Sequence, residues 1–129
     1  MPIRPVKELV AEAKSQITTL SVAEAQARQV SGEALLVDIR DPRELTREGR
    51  IPGAFHAPRG MLEFWIDPAS PYHKTQLATD KTVILFCASS WRSALSAQTL
   101  QDMGVDNIAE IDGGFSAWRE AGAPIETEE

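Results

Sequence analysis

The apolar positions of this chain change period several times, and each change predicts an element. Val6, Leu9, Val10, Ala13 and Ile17 recur at helical spacing, which predicts an amphipathic helix over residues 5–16 with Pro5 near its first turn. A short strand is expected around Ile17–Leu20. Ser21 followed by Glu24 is a capping-box pattern, so a second helix is expected to about Val30, with Gly32 placed to end it. Leu35-Leu36-Val37-Asp38-Ile39 and Thr82-Val83-Ile84-Leu85-Phe86 are nearly continuous apolar runs, the pattern of strands covered on both faces of a parallel sheet.

Between and after these runs the punctuation is clear. Asp41-Pro42 opens a short helix that Gly49 closes, Ile51–Ala54 is a turn, and Phe55–Ala57 is a brief strand. Met61–Trp65 reads as one or two helical turns and Asp67–Tyr72, with two prolines, as a loop. A helix over about 92–103 offers Ala94, Leu95, Ala97, Leu100 and Met103 for burial and ends at Gly104. Ile108–Ile111 supplies a last strand, Gly113-Gly114 a sharp turn, and Phe115–Glu120 a final helix. Strands alternating with helices through short connections predict an α/β fold with a mainly parallel sheet. At 129 residues the chain suits one compact core, with residues 1–17 as a helical extension and 18–127 as the domain proper.

Composition narrows the function classes. With 43% hydrophobic and 25% charged residues the chain is of ordinary globular type. A net charge of −6 without a basic cluster argues against a nucleic-acid partner, which needs cations to neutralise phosphates. No apolar run approaches the roughly 20 residues of a membrane span, and the first residues lack the apolar core of a signal peptide. A cytoplasmic location and no membrane partner are therefore expected.

Cys87 is the one cysteine, so neither an intrachain disulfide nor a thiolate-rich metal cluster can form, and no metal is expected. It stands at the carboxyl end of a predicted central strand and just before a predicted helix, where open α/β sheets bind ligands. The segment Cys87-Ala88-Ser89-Ser90-Trp91-Arg92 contains no proline, so each residue offers a backbone N–H. Curled into a turn, such groups form a nest for anions, to which a helix N-terminus adds about half a positive charge. The same field, with the charge of Arg92, favours thiolate over thiol and suits attack on the outer sulfur of an anionic donor. Arg59, after a predicted strand end, is a candidate substrate contact. His56 and His73 are the two histidines, and either could form a Cys–His pair only if the fold brought it to Cys87.

From about Ser21 to Ile125 the chain resembles the rhodanese family. Three separated stretches carry the resemblance: Val37-Asp38-Ile39-Arg40-Asp41-Pro42-Arg43-Glu44, Gly49-Arg50-Ile51-Pro52-Gly53-Ala54 and Asp112-Gly113-Gly114-Phe115-Ser116-Ala117-Trp118. They look like the family's D-x-R-x-x-x-E, G-H-I-P-G-A and G-G-x-x-A-W patterns, and Cys87–Arg92 falls at its active-site loop. Two positions depart from it: Arg50 where the family often has His, and Ser90 where its loop commonly has Gly. The resemblance implies a rhodanese-like, five-stranded sheet flanked by helices on both faces. It also implies a cycle in which Cys87 takes a sulfane sulfur from a small anionic donor such as thiosulfate, holds it as a persulfide on the loop amides of Ala88, Ser89, Ser90, Trp91 and Arg92, and passes it to cyanide or a thiol. No organic cofactor or metal is implied, and with no second cysteine the acceptor must be external. Asp38, Arg40 and Glu44 are expected to form a structural ion-pair network, and Phe115 and Trp118 to belong to the core.

Two other function classes are compatible with these residues. Cysteine phosphatases and arsenate reductases use a similar Cys-to-Arg loop, but with five intervening residues where this chain has four, Ala88 to Trp91. A shorter loop makes a smaller ring of amides, better matched to one sulfur atom than to a phosphoryl group. Alternatively, the module relays sulfur to a protein acceptor or serves as a regulatory binding domain.

Overall fold

In the computed structural model, which describes residues 2–127, the two longest apolar runs lie side by side as neighbouring strands. Met1 of the expected extension is outside the described residues. The strands β1 (Thr19–Leu20), β2 (Ala34–Asp38), β3 (Phe55–His56), β4 (Thr82–Phe86) and β5 (Ile108–Ile111) form one sheet in the order β1-β5-β4-β2-β3. Every strand pairing is parallel, where a mainly parallel sheet was expected; an isolated antiparallel bridge joins Arg50 and Glu126 outside the strands. Parallel neighbours require crossovers, supplied here by helices. Between strands lie α2 (Val22–Val30), α3 (Pro42–Glu48), α4 (Leu62–Ile66) and α5 (Trp91–Asp102), while α1 (Val6–Lys14) precedes β1 and α6 (Gly114–Glu120) follows β5.

The period of two along β4 sorts its side chains between two core layers. Val83, Leu85 and Cys87 pack with Leu62, Ile66, Ala97 and Leu100 from α4 and α5. Ile84 and Phe86 point the other way, toward Ala25 of α2 and Phe115 and Trp118 of α6. The strand's own alternation thus turns Cys87, the first residue past β4, toward the α5 layer. Both expected helix starts are capped: Ser21 with Glu24, and Asp41 with Glu44, each form a reciprocal capping box.

Some expectations need correction. Only Val10 and Ala13 of α1 are buried, against Ala94 of α5, while Val6 and Leu9 are exposed, because α1 rests on a single helix and one helix covers a narrow strip. Met103 is exposed because α5 ends at Asp102. A 3-10 turn at Thr75–Leu77, which buries Leu77, was not anticipated, since one apolar residue in a polar stretch creates no periodicity. No helix among the described residues is long and apolar enough to cross a membrane.

Candidate active site

Cys87 is 1% exposed, at the junction of β4 and α5. The backbone N–H of Ser90 donates to its Sγ at 3.1 Å, and Sγ lies 3.7 Å from Ser93 Oγ. The loop is bent into this shape from both sides. On one side, Ser90 adopts φ +98°, the left-handed region that favours glycine, and so brings its amide back onto the sulfur. On the other, the N-terminus of α6 takes up two loop carbonyls: Phe115 N–H donates to Cys87 O at 2.7 Å and Ser116 N–H to Ala88 O at 3.0 Å.

Those two bonds decide where the loop amides point. Across a trans peptide the C=O and the next N–H are opposed, so carbonyls of Cys87 and Ala88 aimed at α6 turn the N–H groups of Ala88 and Ser89 away from it. The first-turn amides of α5, Trp91 to Ser93, lack intrahelical acceptors in any case. A run of donors without backbone acceptors therefore follows the sulfur, at the positive end of a 12-residue helix. Gly114 makes the close approach feasible: its φ is +58°, and a Cβ there would run into Cys87 O while standing 3.0 Å from Ala88 C and O.

Arg92 turns its guanidinium to Glu44, with Nη1 2.8 Å from Oε2 and Nη2 2.9 Å from Oε1. This bidentate pair, chiefly through the Arg92 hydrogen bonds and despite partial burial, holds the Glu44 carboxyl below the usual carboxylate range. Arg92 is correspondingly raised, first by Glu44 against the cost of burial, and then by its nearness to the Cys87 sulfur. The expected Asp38–Arg40–Glu44 network is thus divided. Asp38 and Arg40, both about 1% exposed, pair with each other, Nη2 to Oδ2 at 2.8 Å. Arg40 also donates to Gly49 O at 2.9 Å and lies over the Phe115 ring, 4.1 Å from its centroid, whereas Glu44 is tied to the Cys87–Arg92 loop through Arg92.

Phe115 and Trp118 are buried, and the indole Nε1 of Trp118 donates to Pro124 O at 2.7 Å. Trp91 stands 47% exposed at the start of α5, and Ser89 is exposed beside it. Arg59 and Arg92 line one cleft of about 230 Å³ together with Ile39, Asp41 and Pro58. Ala88, Phe115, Ser116 and Glu44 line another. Neither cleft is lined by Cys87, whose sulfur lies beneath the loop. Neither histidine is engaged with Cys87: His56 Nε2 is 2.7 Å from Arg40 O, and His73 Nδ1 is 2.8 Å from Trp65 O.

Sequence reasoning missed the polar cluster behind the loop. Glu110, wholly buried on β5, accepts from Ser90 Oγ at 2.7 Å, Ser93 Oγ at 2.6 Å, Thr19 Oγ1 at 2.8 Å and Lys14 Nζ at 3.0 Å. The available signal was a carboxylate inside Ile108-Ala109-Glu110-Ile111, a strand covered on both faces, where a charge must find partners.

Comparison with known proteins agrees with this fold. A solved structure from Rhodopseudomonas palustris, described as a protein of unknown function and possible tyrosine phosphatase, is 53% identical, with 98% of this chain and 99% of that one covered and a TM-score of 0.91. The polysulfide-sulfur transferase homodimer of Wolinella succinogenes is 30% identical over 95% of this chain and 88% of that one, with a TM-score of 0.75. A thiosulfate sulfurtransferase from Pseudomonas aeruginosa is 29% identical over 95% of this chain but only 22% of that one, with a TM-score of 0.76. The family model described as Rhodanese-like domain matches residues 21–121, and this chain belongs to that family.

Proposed function

We propose that the protein is a sulfurtransferase that carries sulfane sulfur as a persulfide on Cys87. The observation that carries this reading is the loop geometry: a single cysteine whose sulfur receives the Ser90 amide at 3.1 Å and is followed by the first-turn N–H groups of a helix N-terminus. In the first half-cycle the Cys87 thiolate attacks the outer sulfur of thiosulfate. A Cys–S–S bond forms, the donor S–S bond breaks, and sulfite leaves with its electron pair. The new terminal sulfur carries the negative charge, which the loop amides stabilise without reorganising. In the second half-cycle a nucleophilic acceptor takes that outer sulfur, cyanide becoming thiocyanate and a thiolate becoming a persulfide, and the Cys87 thiolate is regenerated. Arg59 is the group suited to attract the donor, since it is exposed on the cleft that Arg92 also lines.

The description of the Rhodopseudomonas palustris relative favours a second reading, phosphoryl transfer through Cys87. Two features weigh against it. The loop has four residues between Cys87 and Arg92, and the guanidinium of Arg92 is oriented by its bidentate pair with Glu44, which spends two of its five N–H donors and part of its charge there. The deciding experiment is intact mass after incubation with thiosulfate, beside an aryl phosphate hydrolysis assay and a Cys87→Ser control. A single added sulfur that cyanide removes, absent in Cys87→Ser, is expected. Cys87-dependent phosphate release with no sulfur adduct would replace this reading by the phosphatase one.

A further inference from the structure

Glu110 is a fully buried carboxylate that the sulfur-transfer cycle does not use. Its two oxygens hold the loop from behind. Oε1 takes the hydroxyls of Ser90 and Ser93, at 2.7 and 2.6 Å, and these are the two residues that also touch the Cys87 sulfur. Oε2 takes Thr19 Oγ1 at 2.8 Å and Lys14 Nζ at 3.0 Å. Lys14 is thus the cation facing the buried charge, and it makes a second bond, donating to Ser90 Oγ at 2.6 Å. The Ser90 hydroxyl is therefore fixed as donor to Glu110 and acceptor from Lys14 at once.

Ser90 needs this anchoring. It is the one residue other than glycine with positive φ among the described residues, and it occupies the N-cap position of α5 without making the usual side-chain cap bond. Its hydroxyl is spent on Lys14 and Glu110, and its amide is spent on the sulfur. Lys14 lies on α1, ahead of residues 21–121 that match the family, and α1 is seated by Val10 and Ala13 against Ala94 of α5. A residue outside the family pattern thereby reaches the loop at the position where that pattern commonly has glycine.

We propose that Lys14 is a positioning residue for the nucleophile: through Ser90 and Glu110 it holds the loop in the left-handed turn that puts the Ser90 amide on the Cys87 sulfur. The N-terminal helix is, in this account, part of the active-site support. The inference rests on Cys87 being the nucleophile of the proposed cycle, and its test reads that cysteine directly.

The test is a cycle of four full-length proteins: the parent, Lys14→Met, Ser90→Gly and the double variant, with Lys14→Arg as the conservative control. Each is measured for iodoacetamide alkylation of Cys87 at one fixed pH, for kcat and KM of thiosulfate:cyanide sulfur transfer, and for melting temperature. Lys14→Met is expected to slow alkylation and kcat by roughly tenfold, within the range that displacing a reacting group costs, with KM changed less than about twofold. Lys14→Arg should recover most of the loss. Glycine adopts the turn without a tether, so in the Ser90→Gly background the Lys14→Met change should alter alkylation and kcat by less than about twofold. It should still lower the melting temperature in both backgrounds, since the Glu110 charge loses its counter-ion either way. Equal losses of reactivity in both backgrounds, no loss in either, or a loss confined to KM would overturn the proposal. If no variant, parent included, transfers sulfur, the functional reading fails, while the alkylation cycle still decides the positioning role.

Discussion

Gly114→Ala tests the contact between α6 and the Cys87–Arg92 loop. Two costs are separable. Placing a Cβ at φ +58° strains the backbone by about 1 kcal/mol, the ordinary preference for glycine in the left-handed region. The second cost is steric, because the added carbon would overlap Cys87 O and stand 3.0 Å from Ala88 C and O. These are backbone atoms held by Phe115 N–H at 2.7 Å and Ser116 N–H at 3.0 Å, so the loop yields only by loosening both bonds. Overpacking of this kind costs about 1–3 kcal/mol, with about 1 kcal/mol more for each bond that is lost. With one of the two bonds lost, a total of about 3–5 kcal/mol is expected, against about 1 kcal/mol for Gly122→Ala, which has φ +75° and nothing within 4 Å. Urea denaturation of both variants reads the difference, which should separate their midpoints by roughly 1–2 M. The folded Gly114→Ala protein should also show a changed rate of Cys87 alkylation, whereas Gly122→Ala should not. Equal stabilities for the two variants would refute the claim that α6 braces the loop.

Two further outcomes follow from the charged pairs. Glu44 has a lowered folded-state pKa, so its contribution is full above the ordinary carboxylate value of about 4.3 and is lost as pH falls through the lowered value; Glu44→Gln should therefore flatten the acid side of a stability–pH curve, with a loss at neutral pH of roughly 1 kcal/mol for a pair that solvent still partly screens, measured by urea titration at several pH values. Arg40→Met leaves the Asp38 carboxylate buried without its cation and should cost about 3–5 kcal/mol by denaturant titration, while the double variant Asp38→Leu with Arg40→Met should regain part of that loss.

Much of the architecture was legible because it is written in period and punctuation. The two nearly continuous apolar runs became the neighbouring strands β2 and β4, the Ser21–Glu24 capping box and the Asp41-Pro42 start opened α2 and α3, and the parallel α/β class followed from the alternation of elements. The position of Cys87 was legible for the same reason, since it depends only on where β4 ends and α5 begins. Partner choice was less so. Asp38, Arg40 and Glu44 lie within seven residues of one another, yet Glu44 is taken by Arg92, which is 48 positions away. Spacing along the chain ranks local pairs only; the crossover from β2 through β4 brings α3 and α5 together and supplies the competitor.

Glu110 marks the other boundary of what pattern shows. Within Ile108-Ala109-Glu110-Ile111 it reads as a blemish in an apolar strand, and in a sheet covered on both faces a blemish of that kind is unaffordable unless several donors converge on it. The converging groups are Lys14, Thr19, Ser90 and Ser93, drawn from α1, β1, the loop and α5, none of which is distinguished in sequence. What unites them is the position of β5 between β1 and β4, which puts Glu110 directly behind the turn that presents Cys87. The same substitution that makes Ser90 look unsuited to its turn, a side chain where glycine is easier, supplies the hydroxyl through which that turn is tied to the core. Strain at Ser90 and charge at Glu110 are thus each unfavourable alone and mutually compensating together, with Lys14 closing the arrangement from outside the family's own boundaries.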